Sequence, residues 1–328
     1  MPLASSLTPR RRWLLRAQNL QWVIGFNKDI NQGVHNLTTE QRTEIFYSAA
    51  HTGVIYNPQT RSQKLLQGHC NQITCTACSE DKRWIVTADS GPDSMLVVWD
   101  SLSSTPVKTF FTPHENGVKM MDISPDSMYI VTLSNDEQQH LSLWDWTNED
   151  KNEPIVSTQF KYNKEDVQYH VRFNLSNAHE LCSNGRERLF FLSWEADLDS
   201  FEYYCPQVLR DAFPSKEKAD AYLTQTVFIP GSTQAVTATD HGDILVWDIS
   251  LIVDGIAQPN ERRLIKVVTF NLMNDPINIL TIHNEYLVTG NKDGSIKFYD
   301  FQFKICAWFE KLSLNEIKAI SFALMEPR

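Results

Sequence analysis

The chain has 328 residues, 42% of them hydrophobic, with six cysteines and a formal net charge of −10. That length suits one large domain or two small ones, and the acidic balance argues against a nucleic-acid partner, whose phosphates would be repelled. No apolar run approaches the roughly 20 residues of a membrane-spanning helix, so a soluble protein with no membrane partner is expected. With no signal-peptide hydrophobic core, the cysteines read as buried thiols of a reducing compartment.

The charge is uneven along the chain. Residues 1–28 carry Arg10, Arg11, Arg12, Arg16 and Lys28 and no acid, which is +5 and leaves −15 on the remainder. Residues 1–19 are therefore read as a disordered basic arm, with a docked strand over Leu20 to Phe26. Two other readings stay open for this stretch. Its acid-free, Ser- and Arg-bearing composition also fits a mitochondrial transit peptide, and Trp13, Ala17, Leu20 and Phe26 fall at the 1-5-8-14 spacing of a calmodulin-binding helix.

From Gly33 onward the sequence repeats. The clearest unit runs from Gly68-His69 to Trp99-Asp100, with short alternating apolar runs between turn residues, the pattern of a small antiparallel sheet. Dipeptides closing the third strand of successive units are Tyr56-Asn57, Trp99-Asp100, Trp144-Asp145, Trp194-Glu195, Trp247-Asp248 and Tyr299-Asp300. They are spaced by 43, 45, 50, 53 and 52 residues. A four-stranded sheet with two apolar faces cannot bury either one alone, and stacking such sheets in a ring buries both. The pattern resembles the WD40 repeats. The expected fold is all-β, a WD40 β-propeller with six recognisable blades and the start of a seventh.

That resemblance implies a buried hydrogen-bond set of a His before the first strand, a Ser or Thr in the second, an Asp in the following turn and the Trp of the third. The matching residues are His69, Thr87, Asp93 and Trp99, then His114, Thr132 and Trp144, then Thr237 and Trp247, with Thr289, Asp293 and Tyr299 as a weakened version. His69 and His114 each stand 30 residues before a Trp-Asp pair. A repeated offset of this kind assigns both to structure rather than to general-base chemistry.

The predicted organisation is a basic arm over 1–19, blades one to six with a lead-in strand over 20–303, and a tail over 304–328. In the tail, Lys304 to Glu310 reads as the outer strand of blade six and Ile317 to Leu324 as the first strand of an incomplete seventh blade. A ring left open would expose strand edges, so a longer chain or another polypeptide is expected to complete it. Two insertions interrupt the spacing. Residues 195–222 predict a strand at Phe201 to Tyr204 and a short helix after Pro214, and Ser250 to Arg263 is a long loop ending in Arg262 and Arg263. Loops on a rigid ring are where partners bind. The candidate partner-binding residues are thus Arg10, Arg11, Arg12, Trp13, Arg16, Arg262 and Arg263.

Chemical motifs are scarce. Cys75-x-x-Cys78 is half a zinc or redox motif, but positions three apart on a strand face opposite ways. Asp197-x-Asp199 lacks the Gly and closing Glu of a calcium loop. The sequence holds no nucleophile elbow, phosphate-cradling glycine loop or His-Glu-x-x-His helix. No catalytic residue, metal site or cofactor is expected, and the chain reads as non-enzymatic.

A closer resemblance is carried by Leu20 to Phe26 (LQWVIGF), Gly53 to Asn57, Leu65 to Thr74, Asp81 to Ser101 and Leu141 to Asn148. These segments resemble the double-propeller WD proteins that include the echinoderm microtubule-associated-like group. More specifically they resemble the cilia- and flagella-associated WD-repeat family of the calmodulin- and spoke-associated complex, over most of residues 20–328. The resemblance implies a scaffold at the base of a radial spoke, located in the axoneme of the cilium or flagellum. Implied partners are radial-spoke-base proteins, calmodulin-associated axonemal proteins and tubulin. The repeats taken alone would equally allow a soluble cytoplasmic WD40 adaptor, such as a ubiquitin-ligase substrate receptor.

Overall fold

A computed structural model describes residues 20–161, 166–208, 213, 215–249, 260–270, 275–310, 312 and 315–324. It contains six four-stranded antiparallel sheets, each a meander in chain order. Blade 1 is β1 (Val34–Asn36), β2 (Ile45–Ala49), β3 (Thr52–Asn57) and β4 (Ser62–Gln67); blade 2 is β5 (Ile73–Cys78), β6 (Trp84–Asp89), β7 (Met95–Asp100) and β8 (Thr105–Phe111). Blade 3 is β9 (Val118–Ile123), β10 (Tyr129–Ser134), β11 (His140–Asp145) and β12 (Val156–Gln159); blade 4 is β13 (His170–Asn174), β14 (Asn177–Asn184), β15 (Leu189–Ser193) and β16 (Glu202–Tyr204). Blade 5 is β17 (Leu223–Phe228), β18 (Ala235–Thr239), β19 (Asp243–Ile249) and β20 (Arg262–Thr269); blade 6 is β21 (Ile277–His283), β22 (Tyr286–Asn291), β23 (Ile296–Tyr299) and β24 (Ile305–Phe309). The inserted helix α1 is Lys216–Ala219, within the predicted stretch.

The middle strands show why the units must stack. WIVTAD of β6 and MLVVWD of β7 are buried at nearly every position, so they read as continuous apolar runs, the mark of strands covered on both faces. Outer strands such as β8 leave one side in water. The strands are set in register by their turns. After β5 and after β9 the same device recurs: Ser79 Oγ donates to Asp81 and accepts from Trp84 N, and Ser124 Oγ donates to Asp126 and accepts from Tyr129 N. Lys82 and Ser127 take left-handed φ of 62° and 61° in these turns, so the inner hairpins of blades 2 and 3 close in the same way.

Five buried clusters fill five wedges between neighbouring blades. Phe46, Ile55 and Leu66 pack on Ile85, Val97 and Trp99 between blades 1 and 2, and Val86, Leu96 and Phe110 pack on Met121, Ile130 and Trp144 between blades 2 and 3. Leu141 and Val131 meet Leu181 and Phe190 between blades 3 and 4, Phe191 meets Trp247 between 4 and 5, and Val236 and Val246 meet Leu280 and Tyr299 between 5 and 6. Each large side chain so buried contributes about 1.5–3 kcal/mol. Stability is thus distributed over neighbour contacts, as in other repeat folds.

The expected first strand of a seventh blade is not part of any sheet. Residues 315–324 run between blade 6 and blade 1, joined to both sides by separate backbone bonds: Ile317 N donates to Asn291 O, Gln32 N to Lys318 O, and Leu324 N to Thr38 O. The segment has too few continuous backbone partners on either side to form a ladder.

Candidate functional site

The polar residues singled out by the repeats come together most fully in blade 2. Trp99 Nε1 donates to Thr87 Oγ1 at 2.8 Å, and Thr87 Oγ1 lies 2.7 Å from His69 Nε2. Which of Thr87 and His69 donates follows the tautomer of His69, whose other ring nitrogen is Nδ1. That nitrogen stands 3.2 Å from Asp89 Oδ2. The carboxylate of the set is therefore Asp89, a correction to Asp93. Asp89 ends β6 on the same face as Thr87 and accepts from Met95 N and Asn71 N, pinning two loops. Asp93 instead occupies the turn itself, at φ 57°.

The other blades carry the set with losses. In blade 3, Trp144 Nε1 donates to Thr132 Oγ1 at 2.8 Å, and His114 Nε2 lies 2.8 Å from the same oxygen. Ser134 takes the place of the Asp and accepts from His140 N. Burial pushes the His114 imidazole down to about 4, only partly opposed by Asp136. Blade 4 substitutes Ser183 donating to Gln168, while Trp194 lies beyond β15, stacked on His179 and donating to Ala178 O. In blade 5, Trp247 Nε1 donates to Thr237 Oγ1, which meets Thr226 instead of a histidine.

Blade 6 keeps only a fragment of the set. Thr289 Oγ1 is buried without a well-formed hydrogen bond, but it faces the Tyr299 hydroxyl closely enough to oppose the upward push of burial on that phenol. Tyr299 also stacks face to face on Phe270 at 3.8 Å. Asp293 stands apart and accepts from Ser295 N in its own turn, a correction to its expected place beside the other two.

A second polar system, which the sequence reading did not find, bridges blades around the channel. His35 on β1 meets Thr76 on β5 at 2.9 Å, and Thr74 donates to Val118 O on β9. Asp122 on β9 accepts from Phe173 N and Arg172 on β13. His170 Nε2 reaches Thr226 O on β17, and Gln225 accepts from Leu280 N on β21. The circuit returns to blade 1 through the bonds of Ile317 and Lys318 already described. Burial pushes His170 and His35 down to about 3, so both are neutral imidazoles, and His170 donates to the Thr226 carbonyl. Burial also raises the Asp122 carboxyl, against the pull of Arg172.

The channel opens at two ends of different size. At the amino ends of the inner strands is a cavity of about 560 Å³ bordered by Tyr169, Arg186, Asp240, Glu316 and Lys318. At the opposite ends one of about 90 Å³ is bordered by Cys78, Asp122, Arg172 and Phe228. Among the described residues no three His, Cys, Asp or Glu side chains are grouped to hold a metal ion. Cys75 and Cys78 face opposite wedges, the first in the cluster between blades 2 and 3, the second against that between blades 1 and 2. Burial raises both thiols, and that of Cys182, to about 12, far from the thiolate form that reacts.

The candidate partner residues divide sharply. Arg10, Arg11, Arg12, Trp13 and Arg16 lie outside the described residues, as do residues 250–259 of the second insertion. Arg262 is not available to a partner: its side chain is 4% exposed, pairs with Glu180 at 3.0 Å, and lies over the rings of Phe191 and Phe228. A planar guanidinium suits that sandwich between blades 4 and 5. Arg263 points outward and pairs with Glu261 at 2.7 Å. Two ion pairs on buried carboxylates had no sequence signal, because each joins separate parts of the chain: Asp166 before β13 with Arg188 of the β14–β15 turn at 2.7 Å, and Asp243 of β19 with Lys218 of α1 at 2.6 Å.

Comparison with known proteins agrees with this architecture. The propeller of Myceliophthora thermophila Cps50 (Swd1) superposes with a TM-score of 0.62 over 90% of both chains at 12% identity, a likeness of fold. Cilia- and flagella-associated protein 251 of Tetrahymena thermophila is 48% identical over 94% of this chain and 32% of its own length, and that of Chlamydomonas reinhardtii 36% identical over 95% and 39%. Mouse echinoderm microtubule-associated protein-like 4 is 27% identical over 71% of this chain and 23% of its own. The chain thus spans a third or so of the curated relatives it matches. The model of the CFAP251 N-terminal domain matches residues 18–328, and the chain belongs to that family.

Proposed function

We propose that this chain is a non-enzymatic scaffold of the motile-cilium and sperm-flagellum axoneme, attaching or stabilising a radial spoke base on doublet microtubules through protein–protein contacts. Membership in a family of cilia- and flagella-associated proteins carries the reading. The chemistry of the interior supports it. His35 and His170 in contacts between blades, His114 within blade 3, and the buried thiols are each held neutral, an arrangement that spends its polar groups on rigidity. Its partners in this reading are spoke-base proteins, calmodulin-associated proteins and tubulin.

Charge limits how the scaffold docks. Tubulin surfaces are acidic, so a body of charge −15 does not coat a microtubule by bulk attraction. The basic residues 10–16 supply the electrostatic contact, and shaped loops supply the rest. Replacing Arg10, Arg11, Arg12 and Arg16 together by Ala is expected to weaken microtubule co-pelleting or calmodulin binding, most visibly at low salt. Unchanged pelleting and unchanged calmodulin binding would remove the arm from the mechanism. The reading as a whole is tested by cryo-electron tomography of axonemes from cells lacking the protein, with loss of density at the spoke base expected. Intact spoke bases would overturn it.

A further inference from the structure

The ring has one wedge unlike the others. The inner strands of blades 2 to 6 lie side by side around the channel, and five buried clusters fill the wedges from blade 1 through blade 6. Between blade 6 and blade 1, residues 315–324 stand where an inner strand would. Ile317 is buried there, with Ile317 and Ile320 seated over Gly290 of β22. Phe322 stacks on His283 at 3.8 Å and meets Phe298 edge-on at 6.2 Å. Outward from Phe322 this cover ends.

Both walls of the wedge stay apolar past that point. On blade 6, the face turned away from blade 5 carries Val288, Phe298 and Ala307 in cross-strand register. Phe309 and Tyr286 pack edge-on against Phe298 and are 52% and 41% exposed. On blade 1, the face turned away from blade 2 carries Tyr47 and Tyr56. The lead-in segment lies on it, its Val23 N and O both bonded to the Gln63 amide and Trp22 edge-on to Tyr56. Leu20, Trp22, Ile24 and Phe26 all remain exposed, Ile24 91% and Phe26 65%. The docked strand expected over Leu20 to Phe26 is not formed: the segment joins no sheet, and Gly25 at φ 98° breaks its extended run, so these side chains add an exposed apolar patch to the wall of blade 1.

We propose that this wedge seats a seventh blade, with Ile317–Leu324 as its innermost strand and three further antiparallel strands supplied by the longer family chain outside this domain. A single twisted sheet is the body that fits between two blade faces, since sheets stack about 10 Å apart; a second whole propeller is too bulky to enter. The matched family model is that of an N-terminal domain, and the curated relatives run two and a half to four times the matched length. Strands in the same polypeptide also reach the wedge at high effective concentration.

Hydrogen exchange distinguishes the sources. It is measured at residues 318–323 in the 328-residue chain, and at the equivalent residues in the full-length Tetrahymena relative. Ladder formation is expected to slow exchange there about 10-fold or more in the longer protein. A charge at the relative's counterpart of Phe309 is expected to cancel that protection, while Phe309→Asp leaves the melting of the 328-residue chain unchanged, because the ring is half exposed in it. Equal exchange in both proteins overturns the proposal. So does protection that grows with concentration of the 328-residue chain alongside a dimer mass, which assigns the wedge to a second copy, or protection that requires added axonemal extract, which assigns it to a partner.

Discussion

Thr87 shows what one hydroxyl does inside a blade. Its oxygen receives the Trp99 indole and faces His69, all three buried, so Thr87→Val strands two polar groups away from water. Each such orphan costs about 1–3 kcal/mol, and urea denaturation is expected to show a loss of about 2–4 kcal/mol. Thr289 is the control provided by the same fold. Its Oγ1 is equally buried but makes no well-formed hydrogen bond, only a contact with the Tyr299 hydroxyl, so Thr289→Val is expected to cost less than about 1 kcal/mol. Equal losses for the two variants would show that the hydrogen bonds contribute nothing beyond packing. The sequence made His69, Thr87 and Trp99 legible because their spacing repeats in blade 3. It misdirected the choice of carboxylate because two Asp residues flank one turn, and only strand periodicity, Thr87 and Asp89 on one face, separates them. Arg262 was misread for a related reason: a charged residue beside a loop looks exposed until its aromatic neighbours, 71 and 34 residues earlier in the chain, are placed around it.

At the level of elements, blade boundaries were readable from periodicity, since a strand buried on both faces leaves a dense apolar run whatever its neighbours are. Residues 315–324 were harder. Ile317 to Leu324 has the composition of an inner strand, but a strand needs a ladder, and its described backbone bonds are one to blade 6 and two, six residues apart, to the segments flanking β1. Its anchorage instead comes from side chains, above all Ile317 and Ile320 against the bare backbone of Gly290. A Cβ at Gly290 would lie 2.6 Å from Ile317 Cγ2 and 3.0 Å from its Cβ, closer than packed carbons approach. Gly290→Ala is therefore expected to lift the segment off β22 while leaving blades 2 to 4 intact. Hydrogen exchange should accelerate at Ile317 and Gln32, whose amides bond across the seam, and not at β6 or β10. Acceleration throughout the ring would mean that the seam governs global stability and not a local element.

Across the whole molecule, neutral histidines make the ring sensitive to acid in a calculable direction. His170 spans blades 4 and 5 and His114 belongs to blade 3; burial pushes them down to about 3 and about 4. In the unfolded chain both titrate near 6.5. The folded value is the lower, so the unfolded state takes up protons first as the pH falls. The stability these residues carry is whole above about 6.5 and is lost between there and their folded values. Arg172 adds to the depression at His170, and Asp136 opposes it at His114. The buried Asp122 is shifted the other way, so protonating its carboxyl favours the fold and opposes the histidine slope wherever it titrates. His35 is pushed down to about 3 by burial, as His170 is, and three imidazoles excluded from protonation over one and a half pH units amount to at most about 6 kcal/mol. Urea midpoints are expected to fall steadily from pH 7 to pH 5, and His114→Gln, which keeps a polar group near Thr132 but does not titrate, should flatten part of that slope. A midpoint independent of pH across this interval would mean that the imidazoles reach water in the folded ring, and that the bonds joining one blade to the next around the channel open without cost.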